Sequence, residues 1–262
     1  MLFRSHWQLN GIEDGGVLDF GSLVILFGAS FFAGFINSIV GSGTLITFPT
    51  LLLFGVNPIV ANASNNLGLV PGAISAAIAT RKDFQNFANR RFLTNLIVSA
   101  VLGSLIGSLL LLVTSIDFLE IFIPILIIFA LITLWSNKIF KNPKEKNEKS
   151  KSNMVIAAGL GTYGGYFGAA QGIIWISYLQ SFKTLSIYSA NAIKNLIAGI
   201  VNTSASIIFL VFGKIDWQLT ICIGVGSAIG ASVGPKSSKR LSPTIYRIVI
   251  TIVALTALVW NL

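Results

Sequence analysis

The sequence predicts an all-α polytopic membrane protein with two inverted-topology repeats and about eight to ten helical segments, two of them short. Of its 262 residues 54% are hydrophobic and only 10% are charged, and the mean hydropathy is +0.81. A soluble domain carries roughly a quarter charged residues. Apolar runs recur at the length of about 20 residues that a membrane-spanning helix needs. They are apolar on every face, whereas the strands of a membrane β-barrel alternate.

The apolar runs define ten predicted segments: 20–40, 44–56, 59–80, 92–113, 118–137, 153–168, 171–182, 185–212, 216–234 and 243–261. Segments 44–56 and 171–182 are too short to cross the hydrocarbon core comfortably. Each follows a glycine-rich break, GSG at 41–43 and GYFGAAQG at 165–172. Short segments with such breaks at corresponding positions in two halves indicate a transporter binding site.

The charges predict the domains and the orientation. Residues 1–19 form a polar N-terminal segment, 20–137 the first membrane repeat, 138–152 a basic cytoplasmic linker and 153–262 the second repeat. Most basic residues fall in four loops, which we assign to the cytoplasm of a cell membrane, so both termini are predicted to be extracytoplasmic. The net charge of +9 then reflects contact with the bilayer rather than with nucleic acid.

Internal similarity supports the two repeats. The stretch ANASNNL at 61–67 aligns with ANAIKNL at 190–196, and Gly34 and Gly41 align with Gly161 and Gly168. In the predicted orientation the helix with Asn62 runs inward and the helix with Asn191 runs outward. Opposite directions are typical of inverted repeats.

These clusters and breaks supply the candidate substrate-binding residues. They are Asn62, Asn65, Asn66, Asn191, Lys194, Asn195, Gly41, Gly43, Thr44 and Gln171. We expect the asparagine amides, Thr44 and Gln171 to donate hydrogen bonds to one shared midplane site. The backbone N–H groups of the glycine breaks can act as donors at helix starts.

Lys194 indicates an anionic substrate. An ammonium near the bilayer centre costs about 2.5–3.5 kcal/mol on insertion scales. Glu120 and Asp216 lie near the ends of predicted segments and no Asp or Glu lies deeper inside one, so a transported anion can serve as the counter-ion. Two alternatives stay open: the asparagines simply join helices, or Lys194 extends to the membrane surface.

Residues 34–76, GFINSIVGSGTLITFPTLLLFGVNPIVANASNNLGLVPGAISA, resemble the sulfite exporter TauE/SafE family, and the resemblance extends over about residues 20–260. The shared positions are Gly34, Gly41, Gly43, Gly55, Pro58 and Ala61. Thr44 stands where the family has a third glycine, and Asn65 and Asn66 where it often has Thr and a small residue. The resemblance implies a permease for sulfur-containing anions such as sulfite or organosulfonates, usually outward, in the bacterial cytoplasmic membrane.

The predicted function is therefore a small-anion permease, an exporter that works by alternating access. The alternatives are an anion channel and a permease for another oxyanion or carboxylate. An enzyme needs a nucleophile with a base or a metal cluster, and the sequence has one cysteine, one histidine and no such grouping. It predicts no cofactor and no metal. The energy source is not readable, since a conventional proton relay uses Asp, Glu or His within the membrane.

Overall fold

The computed structural model describes residues 19–84, 89–136, 151–182, 185–213, 215–237 and 243–261, and every regular element in them is helical. The helices are α1 Phe20–Ile39, α2 Thr44–Leu53, α3 Pro58–Ala79, α4 Arg81–Phe84, α5 Arg90–Val113, α6 Ile116–Trp135, α7 Ser152–Tyr166, α8 Gln171–Leu179, α9 Ile187–Phe212, α10 Trp217–Ser237 and α11 Pro243–Asn261.

The protein is an all-α polytopic membrane protein, as the sequence predicted. Five helices, α1, α5, α6, α9 and α10, are long and apolar enough to cross a membrane. Large apolar side chains such as Val113, Ile121 and Val259 are mostly exposed on the outer surface of the helices. Such side chains are compatible with a lipid environment rather than with water.

The predicted segment boundaries are close to the observed ones, and α2 and α8 are the two short helices. The sequence analysis missed only the one-turn helix α4, which is polar. The N-terminal segment 1–18, linker residues 137–150, and Lys183, Lys214, Lys239 and Arg240 lie outside the described residues. The predicted division into domains and the orientation stay predictions.

The two glycine-rich breaks end their helices in the same way. Gly41 and Gly168 have φ angles of 88° and 71°, the left-handed region that glycine adopts without a steric penalty. At the end of α1 the N–H groups of Val40 and Gly41 both donate to Ile36 O. At the end of α7, Phe167 and Gly168 both donate to Tyr163 O. This Schellman-type turn stops each helix and leaves its last carbonyls without a backbone donor.

Small residues bring the long helices into backbone contact. α1 packs along α10, and α7 packs along α5. A Cβ added to Gly34 would lie 2.1 Å from Ser227 O, and one added to Gly161 would lie 2.0 Å from Ala100 O. Contacts between small residues are typical of helix association in membranes, where apolar side chains alone give little driving force.

The packing between the halves is reciprocal. If the one-turn helix α4 is left out of the count, the first helix of each half contacts the fourth helix of the other half, as α1–α10 and α7–α5. The polar helices α3 and α9 pack against each other, α3 also against α10 and α9 also against α5. This reciprocity is what an inverted repeat requires, and the repeat itself stays a prediction.

Two alanine substitutions on α7 test the backbone contact. Gly161→Ala forces α5 and α7 apart, and we expect a loss of about 1–3 kcal/mol. Gly159→Ala is the matched control, because nothing lies within 4 Å of its added Cβ. It should be neutral or stabilising by roughly 0.5–1 kcal/mol, since alanine favours helix more than glycine does. Thermal unfolding of the purified variants in detergent measures both, and equal melting temperatures would contradict the packing.

Candidate functional site

The two polar helices run antiparallel. Asp216, just beyond the end of α9, donates its backbone N–H to Ser64 Oγ near the start of α3, at 2.9 Å. Farther along the pair, a Cβ added to Gly199 would contact Ala73 Cβ at 3.4 Å. Asn62 and Asn191 both belong to the first turns of their helices, so they lie toward opposite ends of the pair. The residues predicted to form one shared site therefore form two clusters.

The first cluster lies at the C-terminal end of α1. Lys194 Nζ donates to Asn37 O at 2.6 Å. Asn191 Nδ2 and Asn195 Nδ2 donate to Ser38 O at 3.1 and 3.3 Å. In an unbroken helix these two carbonyls would accept from Gly41 and Ser42, but the turn at Gly41 directs its N–H to Ile36 O instead. Three side chains of α9 thus replace the missing backbone donors.

Lys194 is only 1% exposed, so its amine does not extend to the protein surface. Its hydrogen-bond partner is a backbone carbonyl rather than a carboxylate. The C-terminal end of a helix carries a partial negative charge, which stabilises a nearby cation. α1 therefore compensates part of the charge of Lys194, which the sequence analysis did not foresee. An ammonium has three N–H donors, and this hydrogen bond occupies one of them.

The two glycine breaks cross beside Lys194. Gly172 N donates to Gly41 O at 3.0 Å. A Cβ added to either glycine would lie 2.4 Å from the Cα of the other and within 3.1 Å of Lys194 Cδ. The alkyl stem of Lys194 therefore packs against the crossing, and no larger residue fits there without moving the backbone.

The predicted backbone donors at the breaks are partly used inside the protein. Gly43 N donates to Asn37 Oδ1 at 3.4 Å, and Gly172 N is held by Gly41 O. Thr44 begins α2 and is partly buried. Ser42 Oγ, beside Gly41 in sequence, is buried and has no hydrogen-bond partner. Gln171 Nε2 is also buried without a partner, but the Gln171 amide lies against the end of α7: a Cβ added to Gly164 would lie 2.3 Å from its Oε1 and 2.6 Å from its Nε2. Ser42 was not among the predicted residues; its place between two glycines of the break was the available signal.

The second cluster lies at the C-terminal end of α7. Asn62 Nδ2 donates to Tyr166 O at 2.7 Å. Asn62 and Asn66 are 2% and 5% exposed, and Oδ1 of each has no hydrogen-bond partner. Asn65 instead accepts from Thr47 Oγ1 and so joins α2 to α3. Among the hydrogen bonds of the described residues none links this cluster to Lys194.

The sequence analysis did not include the carbonyls of Asn37, Ser38 and Tyr166, to which the polar side chains bond. Backbone atoms carry no residue signature, but the glycine that ends each helix indicates which carbonyls lose their donors. Asn37 lies one turn before Gly41, and Gly164 lies one turn before Gly168.

The family profile described as Sulfite exporter TauE/SafE matches residues 26–260, nearly the whole chain. The chain belongs to the sulfite exporter TauE/SafE family. This confirms the resemblance found in residues 34–76, and the broken helices, the polar helices and both clusters all lie within the matched range.

Three relatives are similar to this chain along most of their length. A "Probable membrane transporter protein" of Haemophilus influenzae is 28% identical over 88% of this chain and 91% of its own. The "Probable membrane transporter protein YfcA" of Escherichia coli K12 is 30% identical over 85% of both chains. The "Probable membrane transporter protein ORF9" of a Sinorhizobium species is 26% identical over 91% of both. No solved structure matches the chain significantly. This TauE/SafE chain is a membrane transporter by family.

The carbonyl partners predict unequal effects for two matched substitutions. Asn62→Leu leaves Tyr166 O without its side-chain donor, which costs about 1–3 kcal/mol. Asn191→Leu should cost less, because Asn195 still donates to Ser38 O. Both variants remove an unpaired Oδ1, so the effect of losing that oxygen on stability cancels when the two variants are compared. Thermal unfolding in detergent compares them, and a larger loss for Asn191→Leu would contradict the assigned partners.

Proposed function

We propose that the protein is a permease that exports small sulfur-containing anions, such as sulfite or organosulfonates, by alternating access. The observation that carries the proposal is the buried ammonium of Lys194 beside the crossing of two broken helices. The membership of the TauE/SafE family supports the choice of sulfur-containing anions, since the family is described by sulfite export.

The donors around Lys194 suit an anion. Two N–H groups of its ammonium remain after the bond to Asn37 O. Ser42 Oγ directly follows the crossing glycine Gly41 in sequence, is buried and has no partner. An anion bound there satisfies groups whose burial otherwise costs free energy. It also neutralises the charge that the partial dipole of α1 compensates incompletely.

The crossing supports alternating access rather than a channel. Gly41 and Gly172 are in direct backbone contact, which closes a path between the two breaks. A permeant anion then requires the halves to separate at this point. Reciprocal packing of α1 with α10 and of α7 with α5 supports two inverted repeats that rock against each other.

The remaining parts of the proposal follow from charge. We place the protein in the cell membrane with both termini outside, as the distribution of basic residues predicts. A negative-inside potential drives an anion outward without another energy source. We propose no enzymatic activity, because the family and the named relatives are membrane transporters.

The direct test is Lys194→Met in proteoliposomes. We expect the wild type to exchange radiolabelled sulfite and Lys194→Met to lose at least 90% of the exchange, roughly the effect of 1.4 kcal/mol in binding. Lys82→Met, at an exposed lysine, is the control for the loss of one positive charge and should exchange like the wild type. Normal sulfite exchange by a well-folded Lys194→Met protein would contradict the proposal.

Counterflow separates a carrier from a channel. Vesicles preloaded with unlabelled sulfite should take up labelled sulfite faster than empty vesicles, because a carrier reorients with substrate bound. A channel gives no such stimulation. Equal initial rates in loaded and empty vesicles would favour the channel alternative.

A further inference from the structure

We propose that the cluster at the C-terminal end of α7 binds a monovalent metal cation, in the class of Na⁺. The site comprises Asn62 Oδ1, Asn66 Oδ1 and the terminal carbonyls of α7, including Tyr166 O. This site is separate from the anion site at Lys194, and it goes beyond the proposed function.

The first observation is a difference between two similar helix ends. α1 and α7 both stop at a left-handed glycine and both leave their last carbonyls without a returning N–H. At α1 the side chains that reach those carbonyls include a tethered cation, the ammonium of Lys194. At α7 the hydrogen bond comes from a neutral amide, Asn62 Nδ2. Thus none of the described hydrogen-bond partners of the carbonyls at the negative end of α7 carries a positive charge.

The second observation is a surplus of oxygen acceptors at α7. Asn62 Oδ1 and Asn66 Oδ1 are both buried and unpartnered. The two residues are four apart on α3, so their side chains share one face. The turn leaves the carbonyls of Gly164, Gly165 and Tyr166 without an N–H from residues 167–171. The Gln171 amide also lies at this end, and its unpartnered Nε2 can serve at most two of these five acceptors. The remaining buried acceptors without donors are costly, and a cation satisfies several of them at once.

The ligand chemistry selects a hard monovalent ion. Amide and backbone carbonyl oxygens are typical ligands of hard cations. Ca²⁺ and Mg²⁺ sites are built around carboxylates, and the described residues at this break contribute none. Broken-helix C-terminal ends and unwound carbonyls coordinate Na⁺ or H⁺ in secondary transporters. A flip of the Asn62 amide by about 180°, which exchanges its nitrogen for its oxygen, places Oδ1 beside Tyr166 O as a second ligand for a cation.

Bound water is the competing explanation, since ordered waters commonly satisfy buried polar groups. Stabilisation by bound water would be the same in sodium chloride and choline chloride at equal ionic strength, whereas a cation site would make the protein more stable in sodium chloride. The experiment is thermal unfolding of the purified full-length protein in detergent, in sodium, potassium, calcium or choline chloride, without sulfite. At ten times Kd, Na⁺ should raise the melting temperature by roughly 3 °C or more relative to choline.

Asn66→Leu is the informative variant, because Asn66 Oδ1 makes no hydrogen bond in the structure and its loss should leave folding intact. The variant should lose the Na⁺-dependent shift. Asn191→Leu is the matched control: it removes an unpaired Oδ1 at the other cluster and should keep the shift.

Three results would overturn the cation site: equal melting temperatures in sodium and choline chloride, stabilisation by Ca²⁺ alone, or an undiminished Na⁺ shift in Asn66→Leu. A response to K⁺ equal to that to Na⁺, and absent with choline, supports the site. The proposed anion transport is judged separately, since its test is the sulfite exchange of Lys194→Met. Loss of that exchange together with no sodium shift would reject only the cation site.

Discussion

The arrangement depends on the contact between Gly41 and Gly172. This contact brings the ends of two broken helices together in the interior of a helical bundle. Each break exposes carbonyls that an intact helix would satisfy, and an apolar interior offers no water to take their place. The polar side chains of α3 and α9 are the consequence. They lie in the first turns of otherwise hydrophobic helices because the breaks require donors there.

The same contact explains why Lys194 can be buried without a carboxylate. Its stem packs on the two glycines, and its amine bonds to the carbonyl of Asn37 at the negative end of α1. A helix dipole stabilises a cation by up to about 2 kcal/mol in partly buried geometries, less than the cost of burying an ammonium. The residual positive charge and the unpartnered hydroxyl of Ser42 favour an anion at this position. The long helices can support such a crossing because small residues hold their backbones in contact.

Much of the fold was predictable from the sequence because it depends on local signals. The length of the apolar runs predicted the long helices, and the glycines at 41 and 168 predicted the breaks between helices. The paired ANA motifs identified the two helices that carry the buried amides. Asn65 illustrates the limit: its contact with substrate stays a prediction, and the sequence did not indicate that its Oδ1 accepts a hydrogen bond from Thr47. The opposite directions of α3 and α9 were predicted, but the residues at which the two helices face each other are a long-range property, and the sequence analysis placed Asn62 and Asn191 in one shared site. The backbone partners could not be inferred either, since they depend on how the helix ends meet.

The central claim is that Lys194 binds the transported anion. The most direct measurement is a structure of the protein with selenite, the heavier analogue of sulfite, located by its anomalous scattering. The account predicts an anomalous selenium peak beside Ser42, with the selenite oxygens within hydrogen-bond distance of Lys194 Nζ. Selenite bound elsewhere, with Lys194 still bonded only to Asn37 O, would contradict the claim.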